Sequence, residues 1–123
     1  MTKKILLIED ELTLQKTLSE MLRLKNFEII NASEGEAGLN LAISEKPDLI
    51  LLDLILPKMA GLDVLRELKR ENETKNTPVI ILSNLEGTKE VGEALALGAV
   101  AYLVKANYSL EEIVDKIKKI LGE

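Results

Sequence analysis

Neither cysteine nor histidine occurs anywhere in this chain, and the two absences remove whole classes of chemistry. Without cysteine there is no disulfide and no thiolate metal site, which fits a reducing compartment. Without histidine there is no histidine-based catalytic triad, no zinc site built on imidazole, and no phosphohistidine within the chain. Aromatics are scarce, with only Phe27, Tyr102 and Tyr108, so the core has to be aliphatic. An excess of positive charge is missing too. The formal net charge is −5, which argues against wrapping a nucleic acid backbone, since that requires grouped cations. Long apolar runs are absent as well. The stretch from Leu49 to Leu56 is interrupted by Asp53 and falls far below the ~20 residues that a spanning helix needs. No segment has the make-up of a secretory signal. These features lead to the expectation of a cytoplasmic protein, with no membrane partner and no direct nucleic acid binding.

What is present is ordinary for a folded globule. The chain has 123 residues, 46% of them hydrophobic and 30% charged, enough for one domain over 1–123 with one core and too apolar for disorder. Short apolar runs alternate with amphipathic stretches from end to end. Lys3 to Glu9 reads as a buried strand and Glu11 to Lys25 as a helix with Leu14, Leu18, Met21 and Leu22 on one face. Glu28 to Ala32 reads as a weaker, edge-type strand. Ser33 with Glu36 has capping-box spacing for a helix running to about Glu45. Then follow a strand over Asp48 to Asp53, a helix over Leu62 to Glu71, a strand over Pro78 to Ser83, and a short helix from Thr88 to Leu97 closed by Gly98. A strand over Ala101 to Val104 precedes a last helix capped by Ser109 with Glu112, its stripe formed by Leu110, Ile113, Val114, Ile117, Ile120 and Leu121.

Strands made of unbroken apolar runs are buried on both faces, which calls for a parallel sheet covered by helices on each side. The expected fold class is therefore α/β, a doubly wound, flavodoxin-like (βα)5 sheet. Its expected strand order is 2-1-3-4-5, with the switch point between the first and third strands.

The informative residues stand where those runs stop. Glu9 and Asp10 follow the first strand, Asp53 the third, Ser83 ends the fourth, and Lys105 follows the fifth. The carboxyl ends of parallel strands share one edge, and ligands bind there. Taken singly, each residue has a bland reading: an acidic pair after a strand is often the cap of the next helix, and a lone Asp there is usually a turn residue. Their joint placement is what points to chemistry. A carboxylate can attack phosphorus to form an acyl phosphate, and Asp53 is the candidate nucleophile. Magnesium takes hard oxygen ligands in near-octahedral array. Asp10 and Asp53 are candidates for direct ligation, Glu9 for ligation directly or through water, and the Ile55 carbonyl for a further oxygen. Lys105 would pair with a phosphate oxygen, and the Ser83 hydroxyl would donate to another. Three crowded carboxylates repel one another unless a cation intervenes.

The residues Glu9-Asp10, the segment Asp53-Leu54-Ile55-Leu56-Pro57-Lys58-Met59-Ala60-Gly61, Ser83, Gly98-Ala99 before Tyr102, and Lys105 strongly resemble the receiver domain of bacterial response regulators. The resemblance runs from Lys3 to Leu121. It implies a phospho-accepting protein of a two-component or phosphorelay system, with no separate-substrate enzyme activity. Asp53 would be the phospho-acceptor, Glu9, Asp10, Asp53 and the Ile55 carbonyl the magnesium site, and Ser83 and Lys105 the phosphoryl contacts. The donor would be a phosphohistidine on a histidine kinase or histidine phosphotransfer protein. Ser83 and Tyr102 would form the switch, read out by an unnamed downstream protein on the face made by the fourth helix, fifth strand and fifth helix. Leu12, Gln15, Asn107 and Tyr108 would form the partner-docking surface.

The chain departs from the family pattern in three places. Asn84 follows Ser83 where relatives usually have a small residue, which narrows access to Asp53. Ala106 follows Lys105 where relatives usually have proline behind a cis bond; a cis bond to a non-proline residue costs roughly 2.5–4 kcal/mol, so trans and strained cis both stay open. Val100 and Ala101 stand where DNA-binding relatives place an acidic pair used in dimerisation. Ile55 and Leu85 are apolar and flank the path of an attacking water, so slow loss of the phosphoryl group is expected. Other classes fit less well. A haloacid-dehalogenase-like phosphotransferase needs a second Asp where Ile55 stands. A flavodoxin needs a Ser/Thr/Gly-rich phosphate loop where Glu9-Asp10-Glu11-Leu12 stands. A degenerate receiver that binds partners without phosphorylation is the alternative within the family.

Overall fold

The computed structural model describes residues 2–123. Five strands alternate with five α-helices: β1 Lys4–Ile8, α1 Leu12–Leu24, β2 Glu28–Ala32, α2 Gly35–Glu45, β3 Leu49–Leu52, α3 Gly61–Arg70, β4 Val79–Ser83, α4 Thr88–Ala96, β5 Ala101–Val104 and α5 Leu110–Leu121, with a 3-10 turn over Lys105–Asn107. The sheet order is β2-β1-β3-β4-β5, and all neighbours run parallel. This is the flavodoxin-like α/β arrangement. The sheet switches direction at β1, which pairs with β2 on one side and β3 on the other.

Every residue of β3 and β4 is buried, as are Ile5 to Ile8 of β1. The two-residue period of a strand divides these runs between two cores. Leu6, Ile8, Ile50, Leu52, Val79 and Ile81 face α2, α3 and α4, where they meet Ala42, Val64, Leu65, Leu68 and Ala94. Ile5, Leu7, Leu49, Leu51, Ile80 and Leu82 face α1 and α5, where they meet Leu18, Leu22, Ile113, Val114 and Ile117. Burial of each large aliphatic side chain is worth about 1.5–3 kcal/mol, and the two layers hold the sheet between the helices. The edge strand β2 is half-exposed over most of its length, as its thin apolar content indicates.

One sequence expectation needs correction. Ser33 does not cap α2. The N-cap position is Glu34, without a side-chain cap hydrogen bond, and the Ser33 hydroxyl instead accepts from Gln15 Nε2 at 3.1 Å. The helix starts at Gly35, a position with no room for a side chain, since an added Cβ would lie 2.6 Å from the Met59 carbonyl. Gly98 closes α4 as expected: the C-cap is Leu97, and Gly98 just beyond it has φ +108°, a positive-φ conformation that glycine adopts readily. The α5 capping box is complete, with Ser109 Oγ accepting from Glu112 N at 3.1 Å and Glu112 Oε1 accepting from Ser109 N at 2.9 Å. No cis peptide bond occurs among the described residues, so the Lys105–Ala106 bond is trans.

Candidate functional site

The site is built at the carboxyl edge of the sheet by two backbone hydrogen bonds that continue the ladder one step past the strands. Glu9 N donates to the Ala32 carbonyl at 2.9 Å, and Asp53 N donates to the Ile8 carbonyl at 3.0 Å. The adjacent ends of β1 and β3 thereby bring Glu9, Asp10 and Asp53 together. Carboxylate oxygens of the three lie within 4.8 Å of one another. Glu9 and Asp53 form the floor, at 1% and 5% exposure, while Asp10 is exposed at the mouth.

Lys105 enters from the turn after β5. Its Nζ lies 3.0 Å from Asp53 Oδ2 and 2.7 Å from Glu9 Oε1. The first contact is a hydrogen bond. The second is a close, charge-assisted contact, and Lys105 is the one polar partner of the buried Glu9 Oε1. Glu9 Oε2 accepts from Glu11 N at 2.9 Å, and Asp53 Oδ1 accepts from Ile55 N at 3.1 Å. Burial pushes the Glu9 carboxyl above its ordinary value of 4.5; Lys105 and the Glu11 N–H oppose this, and the Asp53 charge reinforces it. Burial by itself would lower the Lys105 ammonium. The hydrogen bonds and charges of Glu9 and Asp53 reverse that, and it stands above 10.5.

The β3–α3 loop is held close by Gly61, whose missing side chain lets the loop return onto Asp53; a Cβ there would collide with the Asp53 carbonyl and Leu54 Cα. Gly61 N also donates to the Leu54 carbonyl at 2.9 Å. Lys58, in the same loop, pairs with Glu34 at 3.0 Å.

Ser83 is fully buried at the end of β4, and its hydroxyl oxygen accepts from Leu85 N at 3.4 Å. Tyr102 packs against the α2–α3–α4 core and donates its hydroxyl to the Leu85 carbonyl at 2.6 Å. Both residues therefore attach to one loop, the β4–α4 connection. The Tyr102 hydroxyl is raised above 10.0 by burial first and the Glu90 charge next, while the Ser83 hydroxyl acts in the opposite sense.

The four docking residues are less uniform. Leu12 is 68% exposed, and Asn107 is also exposed. Tyr108 is half-buried against the α1–α5 core. The Gln15 amide turns inward, donating to the Glu9 carbonyl at 2.5 Å as well as to Ser33. It braces the acidic pair from the first turns of α1. One further residue joins the site without having been singled out by any motif. Glu11 Oε1 lies 3.6 Å from Lys105 Nζ, and the only sequence signal was a third acid directly after the pair.

A buried carboxylate oxygen whose one partner is the Lys105 ammonium, and two more carboxylates within reach of it, form a set of hard oxygen donors that fits a small divalent cation. Among the described residues no helix is long and apolar enough to cross a membrane.

Residues 5–118 match the response regulator receiver domain. The probable transcriptional regulator ycf27 of Porphyridium aerugineum is 34% identical over 119 residues, covering 97% of this chain and 48% of that protein. The chain thus spans about half the length of the curated relatives it matches. Among solved structures, the manganese-bound form of response regulator Rcp1 is 31% identical with a TM-score of 0.81, over 94% of this chain and 91% of that one. The phosphorylated cyanobacterial phytochrome response regulator RcpA is 28% identical with a TM-score of 0.83, over 98% of this chain and 91% of that one. The chain belongs to the response regulator receiver domain family of two-component signalling. It carries the acidic site, Glu9, Asp10 and Asp53, typical of such receivers.

Proposed function

We propose that this receiver accepts a phosphoryl group on Asp53 from a phosphohistidine of a histidine kinase or histidine phosphotransfer protein. The observation that carries this reading is the Asp53 carboxylate at the floor of the cleft, 5% exposed and 3.0 Å from a lysine ammonium. An Asp53 oxygen attacks phosphorus, the bond from phosphorus to the imidazole nitrogen breaks, and the imidazole leaves with that electron pair. The product is an acyl phosphate. Such a transfer is governed by positioning and charge stabilisation more than by covalent chemistry.

Each neighbour then has a defined task. Lys105, already paired with Asp53, takes a phosphoryl oxygen as its new partner. The Ser83 hydroxyl accepts the Leu85 N–H, and its own proton would be donated to another phosphoryl oxygen. Glu9, Asp10 and Asp53, with the Ile55 carbonyl, would hold magnesium, which supplies positive charge to offset the carboxylates and the phosphoryl oxygens. The manganese in Rcp1 and the phosphorylation of RcpA support this reading by likeness.

The signal would leave through the β4–α4 loop. Ser83 and Tyr102 both bind Leu85 backbone groups, so a shift of Ser83 toward a phosphoryl group moves the anchor of Tyr102 and with it the α4–β5–α5 face. An added phosphoryl charge biasing a two-state element is the general form of such switches. Incubation with acetyl phosphate and magnesium, followed by intact mass, tests the acceptor. One added phosphoryl group that Asp53→Asn abolishes is the expected result. No added mass on a folded wild type, together with no binding of beryllofluoride, would favour the degenerate receiver; beryllofluoride binding without added mass would point to fast hydrolysis instead.

A further inference from the structure

Glu11 lies outside the Glu9–Asp10–Asp53 group, yet its carboxylate shares their lysine, with Oε1 3.6 Å from Lys105 Nζ. Its backbone has little freedom. Glu11 N donates to Glu9 Oε2 at 2.9 Å, and the Glu11 carbonyl accepts from Gln15 N at 3.0 Å as α1 begins. Its side chain is 58% exposed, whereas those of Glu9 and Asp53 are 1% and 5% exposed. Glu11 thus places a negative charge at the mouth of the cleft, above a buried floor that already holds two carboxylates. A phosphodonor drawn to Lys105 therefore also meets the Glu11 charge, 3.6 Å from the same ammonium.

We propose that Glu11 is a specificity-determining residue that selects phosphodonors by charge, disfavouring doubly negative small acyl phosphates relative to singly negative nitrogen-linked donors. The inference rests on Asp53 being the phospho-acceptor. For two unit charges several ångströms apart in a dielectric near that of water, Coulomb's law gives an effect of about threefold in rate per unit of donor charge. Because Glu11 is exposed, the effect is screened by salt. Glu11 also competes with an incoming phosphoryl oxygen for Lys105, and a donor that docks through a protein surface overcomes this competition more readily than a free anion does.

The test compares two small donors on the full chain at saturating magnesium: acetyl phosphate, doubly negative at neutral pH, and phosphoramidate, singly negative. Initial rates of phosphoryl incorporation are read by intact mass for wild type, Glu11→Gln and Glu11→Asp across a range of salt. In Glu11→Gln the acetyl phosphate rate is expected to rise about threefold relative to the phosphoramidate rate, with a flatter salt dependence. Glu11→Asp, which keeps the charge, is expected to retain the wild-type donor ratio. A purely structural role for Glu11 would change both rates by one factor and leave the salt slopes alone, and that result would overturn the proposal. A wild type phosphorylated by neither donor would overturn the Asp53 reading together with this one. A phosphorylated wild type with an unchanged donor ratio in Glu11→Gln would overturn this one alone.

Discussion

Lys105 Nζ lies 3.0 Å from Asp53 Oδ2, joining residues 52 positions apart in the chain across the carboxyl ends of two strands that are not neighbours in the sheet. The contact depends on β4 lying between them in register, with Leu52 opposite Ile81 and Ser83 opposite Val104. The same ammonium serves Glu9 and Glu11. One cation therefore balances several carboxylates, and the charge left over is the property from which the site's pH behaviour and metal preference follow.

Glu9 carries most of the unresolved tension. Its folded-state pKa is raised by burial above 4.5, so its contribution to stability is complete below about pH 4.5 and is lost as pH rises through the folded value. Without metal, Glu9→Gln is expected to unfold at a higher urea concentration than wild type at pH 7, with the gap closing as pH falls toward 4.5. Magnesium should stabilise wild type by mass action and stabilise the variant less. Urea titrations at several pH values, with and without magnesium, check this. A variant less stable than metal-free wild type at pH 7 would count against the assignment.

Lifetime of the acyl phosphate should depend on Ile55. Its side chain is 54% exposed beside Asp53, an apolar group where an attacking water has to pass. Ile55→Asn offers that water a hydrogen-bonding partner, and loss of the phosphoryl group, followed by mass after donor removal, is expected to be several-fold faster. Faster hydrolysis in the wild type than in the variant would refute the account of this position.

Partner docking is best probed at Leu12, a large apolar side chain at 68% exposure on the first turn of α1. Leu12→Asp is expected to reduce phosphotransfer from a protein phosphohistidine several-fold while leaving acetyl phosphate labelling at the wild-type rate. Unchanged phosphotransfer from the protein donor would remove Leu12 from the docking surface.

Helix α3 begins without a side-chain cap, since Ala60 occupies the extended N-cap position. Ala60 is exposed, and Asp63 stands three residues on. Ala60→Ser should stabilise the fold by about 1 kcal/mol, read as a higher denaturation midpoint at unchanged slope. No gain would mean that the β3–α3 loop constrains this position against the capping geometry.

The parts of this architecture legible in the chain were those dictated by local pattern. Unbroken apolar runs marked β1, β3 and β4, because strands buried on both faces leave no room for polar residues. Ser109 and Glu112 announced the start of α5, because a capping box closes within one turn. The strand-end positions of Glu9, Asp53 and Lys105 followed once the sheet order was assumed. What pattern could not reveal was decided by groups far apart in sequence. Ser33 has the spacing of a cap, yet its hydroxyl receives the Gln15 amide from α1. Gln15 looked like a surface residue of α1 but braces the Glu9 backbone. Glu11 reads as a helix-start acid until the turn after β5 brings Lys105 within 3.6 Å. In each case a side chain chose a tertiary partner over a local one.

The most direct test of the central claim is the intact mass of the chain after exposure to acetyl phosphate and magnesium, with Asp53→Asn alongside. The account predicts one added phosphoryl group on the wild type, none on the variant, and loss of the addition when magnesium is chelated beforehand. A folded wild type that gains no mass, or a variant that gains as much as the wild type, would contradict it.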